Sequence, residues 1–261
     1  MHEPSFSVAD QSVVVTGASK GIGRSVAETF AAAGADVAIC SRSQDRVDSV
    51  AEEIEAETDA RCLPIECNVR NRDEVESFFE AVADEFGGVD VLVNNAGGEF
   101  LAPFEDISPN GWDSIVDLNL NSTFHCTQVA GEYMREGDGG VVVNMSSING
   151  QHAAPQETHY SASKAAIIRL TETLAVEWAD DGIRVVCVAP GLIQTAGVAE
   201  TIGIESDDVP SRDTVSRRIG HTEEVADVIL FLASPAASFV NGETITVRGV
   251  PSAGNDLDLD L

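Results

Sequence analysis

The chemistry open to this chain centres on Tyr160 and Lys164, four residues apart in Tyr160-Ser161-Ala162-Ser163-Lys164. Ala165, Ile168, Leu170, Leu174, Ala175 and Trp178 follow at roughly helical spacing, which predicts a helix over 160–179. On a helix, residues four apart share a face. An ammonium beside a phenol favours the phenolate and lowers its pKa, so the pair suits proton exchange with an oxygen near neutral pH. Alone, such a pair is equally an ordinary solvated contact, and its meaning depends on what else the chain brings to it.

The elements that must position the pair read as alternating strands and helices. Residues 12–16 form a β-branched run, followed by Gly17-Ala18-Ser19-Lys20-Gly21-Ile22-Gly23 and a helical pattern closed by Gly34. Strand, glycine turn and helix in that order make a phosphate-binding unit: glycines admit a close backbone approach, and the helix start offers unpaired N–H groups. The next strand, 36–40, ends at Ser41-Arg42. An acidic residue there would bind the ribose hydroxyl of NAD, whereas a cation suits the 2′-phosphate of NADP. With Ser41 in the acid's place and Lys20 and Arg42 nearby, NADP(H) is the expected cofactor and NAD(H) the alternative.

Helices are expected over 45–57 and 72–86, with a strand over 61–65 that reaches Asn68-Val69; Asn68 either meets an adenine edge or caps the second helix. A strand over 89–93 runs into Asn94-Asn95-Ala96-Gly97-Gly98, where small residues let a flat ligand lie on the backbone and Asn side chains tie the loop to its neighbours. A long helix over 112–133 contains Asn119, an unfavourable residue inside a helix. The apolar strand 141–145 delivers Ser146-Ser147 at its C-terminal end, where open α/β sheets bind ligands. After a strand over 184–189 come Pro190-Gly191-Leu192-Ile193-Gln194-Thr195. An irregular stretch over 196–216 reads as a flap over a substrate, and a helix over 223–233 and a strand over 244–247 complete the pattern. Without repeats or linkers, residues 1–261 read as one domain ending in an acidic tail over 253–261.

Composition narrows the function further. Asp and Glu number 44 against 15 Lys and Arg, a net charge of −29, which disfavours nucleic acid and anionic membranes. Only two lysines remain, Lys20 and Lys164, and both fall inside motifs. Scattered carboxylates with so little lysine predict a protein adapted to high salt, as in extreme halophiles. The five cysteines show no paired spacing and read as reduced, structural residues. His125, His152, His159 and His221 lack metal-ligand spacing and read as loop or surface residues, so no metal is expected. No leader or membrane-span pattern is seen, which predicts a soluble protein of the cytoplasm.

Taken together, the 16–23 glycine turn, Asn94-Asn95-Ala96-Gly97, Asn119, Ser147, Tyr160-x-x-x-Lys164 and Pro190-Gly191 resemble the short-chain dehydrogenase/reductase family from about residue 13 to 249. The resemblance implies a seven-stranded parallel Rossmann sheet with helices on both faces, assembled as a homotetramer or homodimer. It implies Tyr160 as proton donor to a carbonyl, Lys164 holding the nicotinamide ribose and tuning Tyr160, and Ser147, thirteen residues before Tyr160, binding the substrate oxygen. Asn119 would hold a helix kink. The cofactor would lie along Gly17, Ser19, Lys20, Gly21, Ile22, Gly23, Ser41, Arg42, Asn68, Val69, Asn95, Ala96, Gly97, Tyr160, Lys164, Pro190, Gly191, Ile193 and Thr195. Two departures stand out: Asn68 where the family often has Asp, and Arg248-Gly249-Val250 where it usually reads Asp-Gly-Gly.

The segments 97–103 and 234–239 are similar to parts of the peroxisomal trans-2-enoyl-CoA and 2,4-dienoyl-CoA reductases, which points to acyl thioesters. The complete Ser147, Tyr160 and Lys164 set favours a carbonyl, so a ketone, with a 3-oxoacyl thioester as first candidate, is the expected small-molecule substrate. Enoyl-CoA reduction, oxidation of a sugar or secondary alcohol, and a dinucleotide-binding regulator without catalysis are the alternatives.

Overall fold

The computed structural model describes residues 5–195, 198, 210–216 and 218–250. Within them, the valine-rich runs become strands of one parallel sheet: β1 (Ser12–Thr16), β2 (Asp36–Ser41), β3 (Cys62–Glu66), β4 (Val91–Asn94), β5 (Gly140–Met145), β6 (Ile183–Pro190) and β7 (Thr244–Val247), in the order β3-β2-β1-β4-β5-β6-β7. The register sets Val15 opposite both Ile39 and Val93, and Asn94 opposite Asn144.

Alternate residues of each strand feed two cores. Val13 and Val15 face one side with α1 (Gly21–Ala32), α2 (Gln44–Glu57) and α7 (Thr222–Ala233). Val14 faces the other with α3 (Arg72–Phe86), α5 (Ser122–Glu136) and α6 (Thr158–Glu177). Both faces are covered, so the strands carry continuous apolar runs rather than alternation. Burying each such valine contributes about 1.5–3 kcal/mol.

Chain order reverses between β1 and β4, so the loops leaving these adjacent strands diverge and leave a crevice at the C-terminal edge of the sheet. A buried polar chain stiffens the sheet beside that crevice. Asn94 Nδ2 donates to Thr127 Oγ1 (2.8 Å) and Asn144 Oδ1 (2.9 Å), and Asn144 Nδ2 donates to Thr171 Oγ1 (3.0 Å), which couples β4 and β5 to α5 and α6.

Several expectations change. The helix expected over 112–133 runs as α4 (Pro109–Val116), a π-helical turn (Asp117–Asn121) and then α5. The cap of α3 is Asn71, whose side chain accepts from the Asp73 N–H at 3.1 Å; Asn68 lies too far upstream and accepts from Arg70 instead. His159 is fully buried on α6 rather than in a loop or at the surface. The five cysteines are free and buried, and burial pushes the Cys187 thiol up to about 11 and the Cys62 thiol up to about 12, far from thiolate reactivity. The tail over 253–261 and most of the 196–216 stretch lie outside the described residues.

Candidate active site

The glycine turn is built for close approach. Gly17 has φ +67°, and a Cβ there would stand 2.8 Å from the Ala96 Cα. At Gly23 a Cβ would meet Asn95 Nδ2 at 2.3 Å and the Gly17 carbonyl at 2.7 Å. Asn95 itself donates from Nδ2 to the carbonyls of Thr16 (2.9 Å) and Gly17 (3.1 Å), while the Thr16 hydroxyl accepts from the N–H groups of Asn95 and Ala96. The loops after β1 and β4 are thereby locked together, as the Asn-rich sequence suggests.

The start of α1 fits an anion. Lys20 occupies the cap position without a side-chain cap bond, and the first turn carries no acidic residue; α3 and α4, by contrast, are capped by Asn71 and Ser108. Among the described residues the first N–H groups of α1 have no side-chain partner, and the helix dipole favours negative charge there. Lys20, at the start of α1, and Arg42, just after β2, are exposed, and among the described residues neither side chain makes a hydrogen bond or ion pair. Ser41 turns its hydroxyl to the Ser43 carbonyl (3.1 Å). Ser19 and Ile22 are partly buried, and Val69 is almost wholly buried in the core. The donors and spaces of this crevice therefore suit a dinucleotide.

At its far end, Pro190 closes β6, the Gly191 N–H donates to the Val247 carbonyl (2.8 Å), and Ile193 is buried. A Cβ at Gly21 would touch Thr195 Cγ2 at 3.3 Å, so Thr195 stands against the glycine turn. Arg248 packs on Gly191 in the departed Arg248-Gly249-Val250 turn, where Gly249 has φ +65°.

The proton-handling residues converge beside the loop after β4. Lys164, 4% exposed, donates from Nζ to the Met145 carbonyl at 2.8 Å and lies 5.5 Å from the Tyr160 ring centre. A Cβ on Gly97 would stand 3.3 Å from Lys164 Nζ and 2.8 Å from Asn119 Oδ1. Asn119, fully buried in the π turn, donates to the carbonyls of Gly98 (2.8 Å) and Ile115 (2.9 Å) and accepts from the Gly98 N–H (3.3 Å). The two adjacent serines divide. Ser146 donates to the Lys164 carbonyl (2.8 Å) and is structural, whereas the Ser147 hydroxyl, which accepts from the Asn149 N–H (3.2 Å), interacts with the Tyr160 phenol.

The surroundings shift both titrating groups of the pair. Burial pushes the phenol well above its ordinary value, the Glu99 carboxylate adds to the rise, the Ser147 hydroxyl works against it, and Glu157 adds again. Lys164 is itself pulled down to about 8 by burial, with Cys187 and Glu99 opposing. Its ammonium donates to the Met145 carbonyl and stays within 5.5 Å of the Tyr160 ring centre. Glu99 and Glu157 escape an inspection of sequence motifs because they lie in separate loops, far apart in sequence. The one available signal is Glu99 within the 97–103 segment.

A family model described as "Enoyl-(Acyl carrier protein) reductase" matches residues 17–249. The crystal structure of a short-chain type dehydrogenase/reductase from Mycobacterium marinum superposes with a TM-score of 0.85 at 35% identity, covering 94% of this chain and 96% of that one. The chain belongs to the short-chain dehydrogenase/reductase family. Among curated members of the family it is 38% identical to the 3-oxoacyl-[acyl-carrier-protein] reductase FabG of Thermotoga maritima, over 90% of this chain and 95% of that protein. It is 35% identical to a probable 2,4-dienoyl-CoA reductase of Bacillus subtilis, over 92% and 95%. A 7α-hydroxysteroid dehydrogenase complexed with NADH and 7-oxo glycochenodeoxycholic acid gives a TM-score of 0.86 at 30% identity, over 97% and 100%. As a short-chain dehydrogenase/reductase, the chain is an oxidoreductase of a family whose members use NAD(P)(H).

Proposed function

We propose that this chain is an NADP(H)-dependent reductase of a ketone, with a 3-oxoacyl thioester as the first substrate class. The observation that carries the proposal is the convergence of Asn119 and Lys164 on Gly97, with the Tyr160 ring 5.5 Å from Lys164 Nζ and Ser147 acting on the Tyr160 phenol. In this reading Tyr160 donates the proton to the carbonyl oxygen, Ser147 hydrogen-bonds that oxygen, and Lys164, fixed by Met145, orients the ribose side of the site. The bound nicotinamide supplies the hydride. Asn119 holds the π turn and the Gly98 backbone, so it positions the loop that frames the reacting centre. The remaining predicted contacts, Gly17 through Gly23, Ser41, Arg42, Asn68, Val69, Asn95, Ala96, Pro190, Gly191, Ile193 and Thr195, are assigned to the cofactor.

The preference for NADP(H) rests on Lys20, at the cap of α1, and Arg42, just after β2, exposed cations that would suit the 2′-phosphate of a bound dinucleotide. Arg42→Ala is expected to weaken NADPH by about tenfold to a hundredfold, the worth of one or two charge-assisted bonds, and to leave NADH little changed. Cofactor fluorescence titration measures both. Equal loss for the two cofactors refutes the assignment.

The reaction is tested by oxidation of NADPH at high salt with acetoacetyl-CoA against crotonyl-CoA. Turnover of acetoacetyl-CoA that falls by about 10²-fold or more in Tyr160→Phe supports carbonyl reduction. Turnover of crotonyl-CoA alone supports the second reading, reduction of a carbon–carbon double bond, which the 2,4-dienoyl-CoA reductase relatives favour. Cytoplasmic location, assembly as a homotetramer or homodimer, and adaptation to high salt complete the proposal; the last rests on the net charge of −29.

A further inference from the structure

Ser147 stands immediately before a single 3₁₀ turn, Ile148–Gly150, and its hydroxyl accepts the N–H of Asn149 at 3.2 Å. The Asn149 side chain reaches across to α6: its Nδ2 donates to Glu157 Oε2 at 2.7 Å. Glu157 occupies the cap position of α6, three residues before Tyr160, yet its side chain makes no cap bond. Its backbone is held on its own account, because its carbonyl accepts from the Ser161 N–H (2.8 Å) and its N–H donates to the Ala154 carbonyl (3.2 Å). Gln156, just before it, takes φ +69°, a left-handed conformation rare outside glycine, and its carbonyl accepts from the Ala102 N–H at 2.9 Å. The carboxylate is thus carried on a fixed piece of chain and spent on Asn149.

Resting on the proposed roles of Ser147 and Tyr160 at the substrate oxygen, we propose that Asn149 and Glu157 form a clamp that positions the Ser147 hydroxyl relative to Tyr160. Both are positioning residues: they act through Ser147 and touch neither substrate nor cofactor. A hydroxyl has one proton to donate and two lone pairs. The Asn149 N–H takes one lone pair, which leaves the Ser147 proton to be aimed at the substrate oxygen. That N–H lies where it does because the Asn149 amide is tied to a carboxylate, a charge-assisted bond and so one of the stronger kind.

The stretch from Ser146 to Gly150 is tied to α6 at two heights. The lower tie is at Lys164: Ser146 donates to the Lys164 carbonyl at 2.8 Å, and a Cβ on Gly150 would stand 2.7 Å from the Lys164 carbonyl carbon. The upper tie is the bond from Asn149 to Glu157. Tyr160 lies between the two anchor points in sequence, so together they fix how far Ser147 stands from it. With the upper tie cut, the turn is still held against α6 at Lys164 but is free to hinge there. Displacement of a reacting group by about 1 Å can cost about 10²-fold in rate. Gly97, Asn119 and the glycine turn lie on the far side of the lower tie and keep their own bonds, so the loss falls on the chemical step and spares cofactor binding.

Asn149→Ala keeps the backbone N–H and empties the clamp; Glu157→Ala empties it from the other side and carries the test should the first variant fail to bind NADPH. Each is expected to slow single-turnover oxidation of NADPH by acetoacetyl-CoA about tenfold or more near neutral pH, with NADPH affinity unchanged. The double variant should lose no more than either single one, as two halves of one contact do. Glu157→Gln, which keeps an oxygen for Asn149 Nδ2, should recover most of the rate that Glu157→Ala loses. In a Ser147→Ala background neither alanine change should slow the reaction further. Hydrogen exchange of the residue 149 amide uses no substrate and decides the clamp whatever the reaction proves to be: it should quicken in Glu157→Ala and return to the parent rate in Glu157→Gln. An amide that exchanges no faster in Glu157→Ala, unchanged turnover in both alanine variants, or the same fractional loss with and without Ser147 overturns the proposal. Full activity in Ser147→Ala refutes the catalytic reading beneath it, and the positioning role falls with that reading.

Discussion

At the residue scale, type and spacing pick out Tyr160, Lys164 and the choice of Ser147 over Ser146, but not the sign of the Tyr160 perturbation. That sign is set first by burial and then by Glu99, a distant residue in sequence. The same environment gives Glu99 a stability signature. Its carboxyl is raised from an ordinary 4.5 to about 7, so its contribution to stability is fully present below pH 4.5 and is lost as pH rises toward 7. Thermal melts should therefore find Glu99→Gln gaining on the parent between pH 4.5 and 7, with no further gain above. Gly23 gives a second prediction. An added methyl would meet Asn95 Nδ2 and the Gly17 carbonyl inside van der Waals contact, and neither can give way without opening the lock between the β1 and β4 loops. Gly23→Ala should cost about 1–3 kcal/mol in denaturant unfolding and weaken dinucleotide binding in parallel.

At the element scale, the strands and their C-terminal ends are legible because both sheet faces are buried and the apolar runs are unbroken. The π turn is not. Residues 109–136 keep a helical apolar pattern, and one wider turn alters the phase too little to register in it. What betrays the turn is Asn119, a poor helix former, whose amide replaces the missing regularity by bonding to the Ile115 and Gly98 carbonyls. Asn119→Ala should destabilise the protein by about 1–3 kcal/mol, because the Gly98 backbone then loses its partner. Hydrogen exchange should rise first in the loop following β4. The cap of α3 is hidden for a related reason: Asn68 and Asn71 are equally good cap residues in sequence, and the turn between them, with the Asn71 N–H bonded to the Asn68 carbonyl, decides which one reaches the helix. The start of α7 is held more strongly. Arg218 donates to both Glu224 oxygens at 2.7 Å, and Glu224 also accepts from the His221 N–H. The Arg218 guanidinium holds the Glu224 carboxyl down to about 2. This ion pair stabilises the protein above pH 4.5 and is lost as pH falls toward 2, so Glu224→Gln should lower the melting temperature at pH 7 and lose its effect in acid.

At the scale of the whole molecule, the sequence carries the charge in plain view, whereas the strand order β3-β2-β1-β4-β5-β6-β7 rests on long-range pairing and enters through family resemblance alone. With 44 acidic residues and 15 basic ones, pairing every cation still leaves 29 carboxylates in mutual repulsion. The arginines are largely spent already: Arg24, Arg61, Arg72, Arg135, Arg169, Arg212 and Arg218 all sit in ion pairs, most of them at the surface. Such exposed pairs are worth about 0–1 kcal/mol each. Salt weakens attraction and repulsion alike, and here repulsion is the larger sum, so screening should stabilise the fold. The Debye length shrinks from about 10 Å at 0.1 M to about 3 Å at 1 M, less than the usual spacing of surface charges. Most of a screening gain must therefore appear below about 1 M, equally in sodium and potassium chloride. Melting temperature against salt concentration tests this: a rise that flattens near 1 M is the expected result, a flat curve removes charge repulsion as a determinant of stability, and a rise that continues steadily to several molar assigns the effect to exclusion of salt from the protein surface instead.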